Sequence, residues 1–356
     1  MGLKYTKMKV FHYKDKVDSL PPEVDKILPP IHIRIKPTNV CNHKCWYCAY
    51  KAKDMQLGKD MNESDFIPER KMYEIIEDIA EMGVKAVTFS GGGEPFCYPY
   101  LKGTVERLIK NKIPFASLTN GSRLDGDVAE LFAHHAKWLR ISLDGWDDTS
   151  YAEYRGIKTG QFTKVMKNMT KFKQFGGSCC LGVVLIVDKK NVSHLHDLVY
   201  QLKSVGVNSV KIGPCITSNI PRETNEYHKG IYDKARKQID KCCEDYKDDS
   251  FEIYDCYHWQ EEKNNKNYTW CPNMQVLTII GADANVYACH DKAYNFDCGL
   301  LGSIKDVRFK DFWLNDKSKF FRIDPSKVCT HHCVDDDKNN LILSYLNADM
   351  DHLGFV

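Results

Sequence analysis

Long apolar runs are missing from this chain: the longest aliphatic stretch, residues 181–187, falls well short of the roughly 20 residues that a membrane-spanning helix needs. An excess of charge of one sign is missing too. Fifty Lys+Arg stand against 48 Asp+Glu, a formal net charge of +2 with no long single-sign block, so bulk electrostatics point to neither nucleic acid nor a membrane surface as partner. Repeats at solenoid spacing and low-complexity tracts are absent, which argues against a repeat array and a disordered chain. With 43% hydrophobic and 28% charged residues, the 356-residue chain has enough apolar material for one large domain plus a smaller one.

The opening segment, MGLKYTKMKVFHYKDK, carries no apolar core of signal-peptide length, so a cytoplasmic location is expected. Met1-Gly2-Leu3-Lys4-Tyr5-Thr6 also fits the loose myristoylation pattern, a signal that needs a host enzyme and anchors only marginally alone. Cysteine, by contrast, is plentiful: there are 15, an odd number, and thiols in a reducing compartment more often serve metals or catalysis than disulfides.

Hydropathy alternation organises the rest. Residues 1–30 are polar, carry Pro21-Pro22 and Pro29-Pro30, and read as an extended arm. Ile31, Ile33 and Ile35 alternate with His32 and Arg34 as in a strand; Met72, Ile75, Ile76 and Ile79 then recur at helical spacing, ending at Gly83. The unit repeats through strands at 86–90, 115–120, 138–143, 181–187 and 210–213, each followed by a helical pattern. Such a succession predicts an α/β fold with a parallel sheet and right-handed crossovers, either an open doubly wound sheet or a partial barrel, over residues 31–246. Residues 247–270 are charged and read as a linker, 271–340 as a small second unit with a hairpin and more cysteines, and 341–356 as a tail.

Chemistry concentrates in Cys41-Asn42-His43-Lys44-Cys45-Trp46-Tyr47-Cys48, three thiols spaced C-x3-C-x2-C on the loop after the first strand. Three thiolates on one tight loop suit a four-iron cluster with one iron left open. A zinc knuckle with His43 as fourth ligand, or three core thiols, fits the spacing as well. After the second strand comes Gly91-Gly92-Gly93-Glu94-Pro95, where missing Cβ atoms let a ligand approach the backbone. Polar punctuation recurs at the same end of the other strands: Thr119-Asn120-Gly121, Ser142-Leu143-Asp144-Gly145, Asp188, and Pro214-Cys215. That end is where parallel α/β folds place their sites.

Cys41–Cys48, with Tyr47 before the last Cys, followed by Gly92-Gly93-Glu94-Pro95, resembles the radical S-adenosylmethionine (radical SAM) superfamily. The resemblance covers roughly 31–220 and implies a partial (β/α)6 barrel. It implies that Cys41, Cys45 and Cys48 hold a [4Fe-4S] cluster whose open iron is chelated by S-adenosylmethionine. Tyr47 would lie by the adenine, Gly92-Gly93-Glu94 would meet the methionine amino group, and Ser142 and Asp144 match the ribose-side positions. Arg155, in Tyr154-Arg155-Gly156, resembles an Arg-Gly motif that binds the cofactor's carboxylate; a surface ion pair is the plain alternative. No residue of 181–187 is assigned a role.

A second group, Cys271, Cys289, Cys329 and Cys333, is spaced x17, x39 and x3. Asn285-Val286-Tyr287-Ala288-Cys289 and Leu301-Gly302-Ser303-Ile304 resemble the SPASM and Twitch auxiliary-cluster domains, although Ala284 stands where that pattern usually has Gly. The resemblance favours the shorter Twitch form with one auxiliary [4Fe-4S] cluster. Cys298, His290, His331 and His332 are alternative ligands, and a zinc site with a histidine is the competing reading. Cys97 and Cys215 are candidates to give a hydrogen atom to a substrate radical, with packing as the plain alternative; Cys179-Cys180 and Cys242-Cys243 read as packing. Asp335-Asp336-Asp337 reads as solvated surface.

The expected chemistry is reductive cleavage of S-adenosylmethionine to a 5′-deoxyadenosyl radical that takes hydrogen from a C–H bond. The electron would come from a donor such as flavodoxin or ferredoxin. The expected substrate is a sugar or aminocyclitol, dehydrogenated or epimerised. Modification of a peptide or protein side chain is the alternative, and a non-catalytic zinc-stabilised binding module a second one.

Overall fold

Alternation decides which way every strand faces. In the computed structural model, which describes residues 5–52, 57–261, 265–331 and 333–355, the strands are β1 (His32–Ile35), β2 (Ala86–Phe89), β3 (Phe115–Thr119), β4 (Trp138–Leu143), β5 (Cys180–Val187) and β6 (Ser209–Pro214). Residues 1–4 of the Met1–Thr6 pattern and His332 lie outside the described residues. Each of these six strands is followed by helix and pairs in parallel with the next. Ile33, Ile35, Leu139, Ile141, Leu181, Val183, Leu185, Val210 and Ile212 are buried in the same core as Ile75, Val105, Phe132, Met169 and Leu198 from the covering helices. Each such side chain contributes about 1.5–3 kcal/mol through its removal from water. Their neighbours on the strands, among them Arg34, Arg140, Ser142, Val184 and Lys211, are partly exposed on the other face.

Two elements extend this partial (β/α)6 barrel. Within 247–270, read above as a linker, β7 (Glu252–Asp255) adds a parallel strand beside β6. Of residues 251–255 Phe251 and Ile253 are buried, so a four-residue strand amid Lys247-Asp248-Asp249 and Glu261 left no alternation long enough to stand out. Within 271–340, β8 (Leu277–Ile280) joins the free side of β1, parallel to it, with His32 opposite Leu277 and Ile35 opposite Ile280. β9 (Asn285–Tyr287) and β10 (Leu300–Ser303) follow antiparallel. The sheet order is β10-β9-β8-β1-β2-β3-β4-β5-β6-β7, so β9, which leads into Cys289, is carried on the barrel's own sheet, and among the described residues that sheet ends in two unpaired edges.

The arm is not extended throughout: a 3-10 turn (Lys7–His12) and a short helix (Lys14–Asp18) place Val10, Val17 and Leu20 against Val276 and Ile342. Ile342 comes from the helix Asp336–Leu346, which runs from the second unit into the first residues of the expected tail. Asp336 is buried and accepts from Tyr268 at 2.7 Å, so that part of the acidic run is not solvated surface. No helix among the described residues is long and apolar enough to cross a membrane.

Candidate metal and cofactor site

The loop after β1 is shaped by its backbone. Lys44 N donates to Arg155 O at 2.7 Å, Cys48 N to Cys45 O at 3.1 Å, Gly93 N to Thr38 O at 3.1 Å and Glu94 N to Val40 O at 3.0 Å. Side chains reinforce it: Asn42 donates to Ser122 at 2.8 Å and accepts from Asn120 at 2.9 Å. The glycine loop thus lies directly on the cysteine loop. A Cβ at Gly93 would meet Val40 O at 2.2 Å, and one at Gly92 would meet Asn39 Oδ1 at 2.1 Å, so these glycines are required by the fold itself as well as by any ligand.

Cys41, Cys45 and Cys48 sit together on that loop, each half-buried and none in a disulfide. Burial pushes the Cys41 thiol up to about 12 and raises that of Cys45, which the Arg155 guanidinium opposes. Thiols so placed become thiolates only when a cation draws the proton off, the setting of a metal site. His43 does not join them. Its ring stands edge-on to Tyr151 at 6.0 Å, and burial beside Arg155 lowers its pKa to about 3. Among the described residues no three His, Cys, Asp or Glu side chains are placed to hold a single ion, and His332, one of the alternative ligands of the second group, lies outside them. In a four-iron cube each thiolate meets its own iron, and the donor set fits that group.

Glu94 is buried and accepts from Thr119 Oγ1 at 2.6 Å, Asn120 N at 2.7 Å and Phe96 N at 3.0 Å. Burial raises its pKa, and these bonds and Arg155 act against the rise. The carboxylate therefore fastens the cysteine and glycine loops to the end of β3. Glu94→Gln is expected to destabilise the fold by about 1.5–3 kcal/mol, the worth of hydrogen bonds to a charged group, measured as a lowered midpoint of urea unfolding.

Arg155 ends the helix Asp148–Arg155 and is 3% exposed, which rules out the surface ion pair. Its Nε lies 2.9 Å from a carboxylate oxygen of fully buried Asp144, Nη2 donates to Ser142 O at 2.9 Å, and Nη1 reaches Cys45 Sγ at 3.5 Å. Tyr47 donates its hydroxyl to Asp144 as well. Two residues assigned separately to the cofactor thus pair first with each other. The Ser142 side chain sits on the partly exposed face of β4.

Cys97 is half-buried between Glu94 and Arg123, beside the Asn42 backbone. Cys215 is fully buried, with its carbonyl accepting from His228 Nε2 at 2.9 Å. In the second group burial raises the Cys289 thiol, the charges of Cys271 and Cys333 add to that rise, and the charge of Cys329 raises Cys271 in the same way. Asn339 Nδ2 donates to Cys271 Sγ at 3.3 Å. His290 and His331 turn to Asp291 instead, at 3.0 and 3.4 Å.

Sequence reasoning did not single out Lys36, Tyr50 or Asp291, which lie beside the two cysteine groups, and it named Asp188 only as part of the polar end of the sheet. Lys36 is buried, and burial pushes its ammonium down to about 7; it donates to Tyr50 Oη and Gly91 O. Asp188 accepts from Tyr154. The signal for Lys36 was present, since it continues the His32/Arg34 alternation.

An α/β partial barrel with three free thiols on the loop after its first strand is the arrangement that the radical SAM resemblance implied. Residues 35–202, just under half of the chain, match the model of the radical SAM superfamily, and that part of the chain is a radical SAM domain. An uncharacterised protein of Archaeoglobus fulgidus is 29% identical over 241 residues, 66% of this chain and only 54% of that protein. The cysteine-type anaerobic sulfatase-maturating enzyme of Clostridium novyi is 25% identical over 307 residues, 81% of this chain and 80% of that enzyme. Among solved structures, Streptococcus suis SuiB bound to its precursor peptide SuiA matches with a TM-score of 0.59 at 16% identity, covering 89% of this chain and 71% of SuiB. The family's cofactors, a [4Fe-4S] cluster and S-adenosylmethionine, are therefore those of this chain.

Proposed function

We propose that this chain modifies a peptide or protein side chain by radical SAM chemistry. In this reading Cys41, Cys45 and Cys48 hold the cluster that binds S-adenosylmethionine, and Cys271, Cys289, Cys329 and Cys333 hold one auxiliary cluster. The observation that carries it is the extent of the likeness to the sulfatase-maturating enzyme: 307 aligned residues run well beyond 35–202 and take in 81% of the chain.

When bound, the cluster and S-adenosylmethionine supply hydrogen-atom abstraction from an unactivated C–H bond. The protein's part is positioning. Arg155, Asp144 and Tyr47 brace the cysteine loop, Glu94 fixes the glycine loop, and the covering helices keep water from one face of the sheet. The loops after β1, β6 and β7 expose Val40, Trp46, Ile216, Ile220 and Trp259, apolar groups that can receive peptide side chains. An unclosed sheet further leaves room for an extended chain.

The test is anaerobic turnover of the reconstituted protein with S-adenosylmethionine, a reductant, and panels of Cys- or Ser-containing peptides, sugars and aminocyclitols. A peptide mass change coupled to methionine release is expected. Turnover of a sugar or aminocyclitol with every peptide inert would restore the small-molecule reading and sink this one. Zinc without labile sulfide would remove the enzyme reading altogether.

A further inference from the structure

One cation stands between the two cysteine groups. Lys36, the residue after β1, is 1% exposed, and a charge so deep needs partners. Its Nζ donates to Tyr50 Oη at 2.6 Å and to Gly91 O at 2.7 Å, and lies 4.3 Å from the centre of the Tyr50 ring. All of these partners are neutral, and among the described residues no carboxylate lies within ion-pair distance of it. Tyr50 Oη in turn donates to His290 O at 3.0 Å.

The result is an unbroken run of hydrogen bonds. It starts at the glycine loop, passes through Lys36 and Tyr50, and ends at the residue next to Cys289; Tyr50 itself lies two residues beyond Cys48. Lys36 feels the charge of both Cys48 and Cys289. Arg34, one step back on the same strand face, has its Nε buried without a partner and lies near enough to sense Asp291 and His290. Its charge is felt by His290 and Asp291, the two residues after Cys289.

We propose that Lys36 is a positioning residue and the counter-cation shared by both iron–sulfur sites, raising the reduction potential of each. The proposal rests on the reading that both cysteine groups hold clusters. Reduction adds an electron to a cluster that thiolates already make negative. A positive charge in a low-dielectric interior favours the reduced form; the negative charge at Cys48 and Cys289 opposes the effect of burial and keeps Lys36 protonated, and one ammonium tied by hydrogen bonds to both loops acts on both sites. Arg34 adds the same effect at the second site only.

The experiment is reconstitution of wild type, Lys36→Met and Arg34→Gln, iron and sulfide counts, and EPR-monitored redox titration without substrate. In Lys36→Met with full iron, the reduced-to-oxidised ratio at a fixed potential is expected to fall about tenfold at both sites, 59 mV for a one-electron couple. Arg34→Gln is expected to move the auxiliary site alone. Full iron with either potential unchanged in Lys36→Met would overturn the shared role. Should Lys36→Met not hold iron, Tyr50→Phe carries the test, because it keeps the charge and loses both hydrogen bonds of the Tyr50 hydroxyl, from Lys36 and to His290 O. Unchanged potentials are expected there, and a fall as large as tenfold would assign the effect to the hydrogen bonds and overturn the charge argument. About four irons in wild type, rather than about eight, would instead remove the two-cluster reading beneath the proposal. Peptide turnover plays no part in these readouts, so the substrate reading stands or falls separately.

Discussion

Replacing Cys41, Cys45 and Cys48 together by Ala is expected to lower iron from about eight to about four per chain and to reduce S-adenosylmethionine cleavage to background. The loop should survive, because backbone bonds hold it: Lys44 N to Arg155 O, Glu94 N to Val40 O and Gly93 N to Thr38 O all persist without the thiols. The Asn42–Ser122 and Asn42–Asn120 bonds persist as well. A folded chain with half its iron, counted beside labile sulfide and far-ultraviolet circular dichroism, is thus the expected result. The four remaining irons would lie on Cys271, Cys289, Cys329 and Cys333, and replacing those four instead should leave about four irons with S-adenosylmethionine still bound. Unchanged iron in the triple variant would place the cluster elsewhere. Loss of all iron with a folded chain would show that the two sites load together.

Local pattern carried the barrel further than it carried its margins. The residues that alternate in β4 and β5 are the ones that pack on the helices, because a period of two leaves no choice of face once one face is apolar. The cysteine loop was equally legible, since close spacing on one loop forces proximity. β8 was visible as a strand, but its place beside β1 depends on a pairing across more than two hundred residues that no local signal encodes. β7 was hidden by its brevity and its charged flanks. Glu94, Asp144 and Arg155 were picked out as chemistry-bearing residues, yet their partners were not foreseen. Each turns first to the protein: Glu94 to the end of β3, Arg155 to Asp144. A residue type and its position announce a charge, whereas the group that neutralises it is chosen by the fold.

That neutralisation makes Arg155→Met the most damaging single change outside the thiols. The substitution leaves the Asp144 carboxylate, with a fully buried side chain, holding only the Tyr47 hydroxyl and the Gly145 amide at 2.8 Å. Breaking one partner out of a buried ion pair costs about 3–5 kcal/mol, because the remaining charge has no solvent to turn to. Asp144→Asn in the Arg155→Met background removes that stranded charge and should recover most of the loss. The two substitutions are therefore expected to be strongly non-additive, with a coupling of about 2 kcal/mol or more in a double-mutant cycle read from urea unfolding. Nη1 of Arg155 also lies 3.5 Å from Cys45 Sγ, so even the rescued double variant should hold iron at the first site less firmly than wild type. A single variant that loses less than about 1 kcal/mol would mean that water reaches Asp144 in solution, since an exposed pair is worth no more than that.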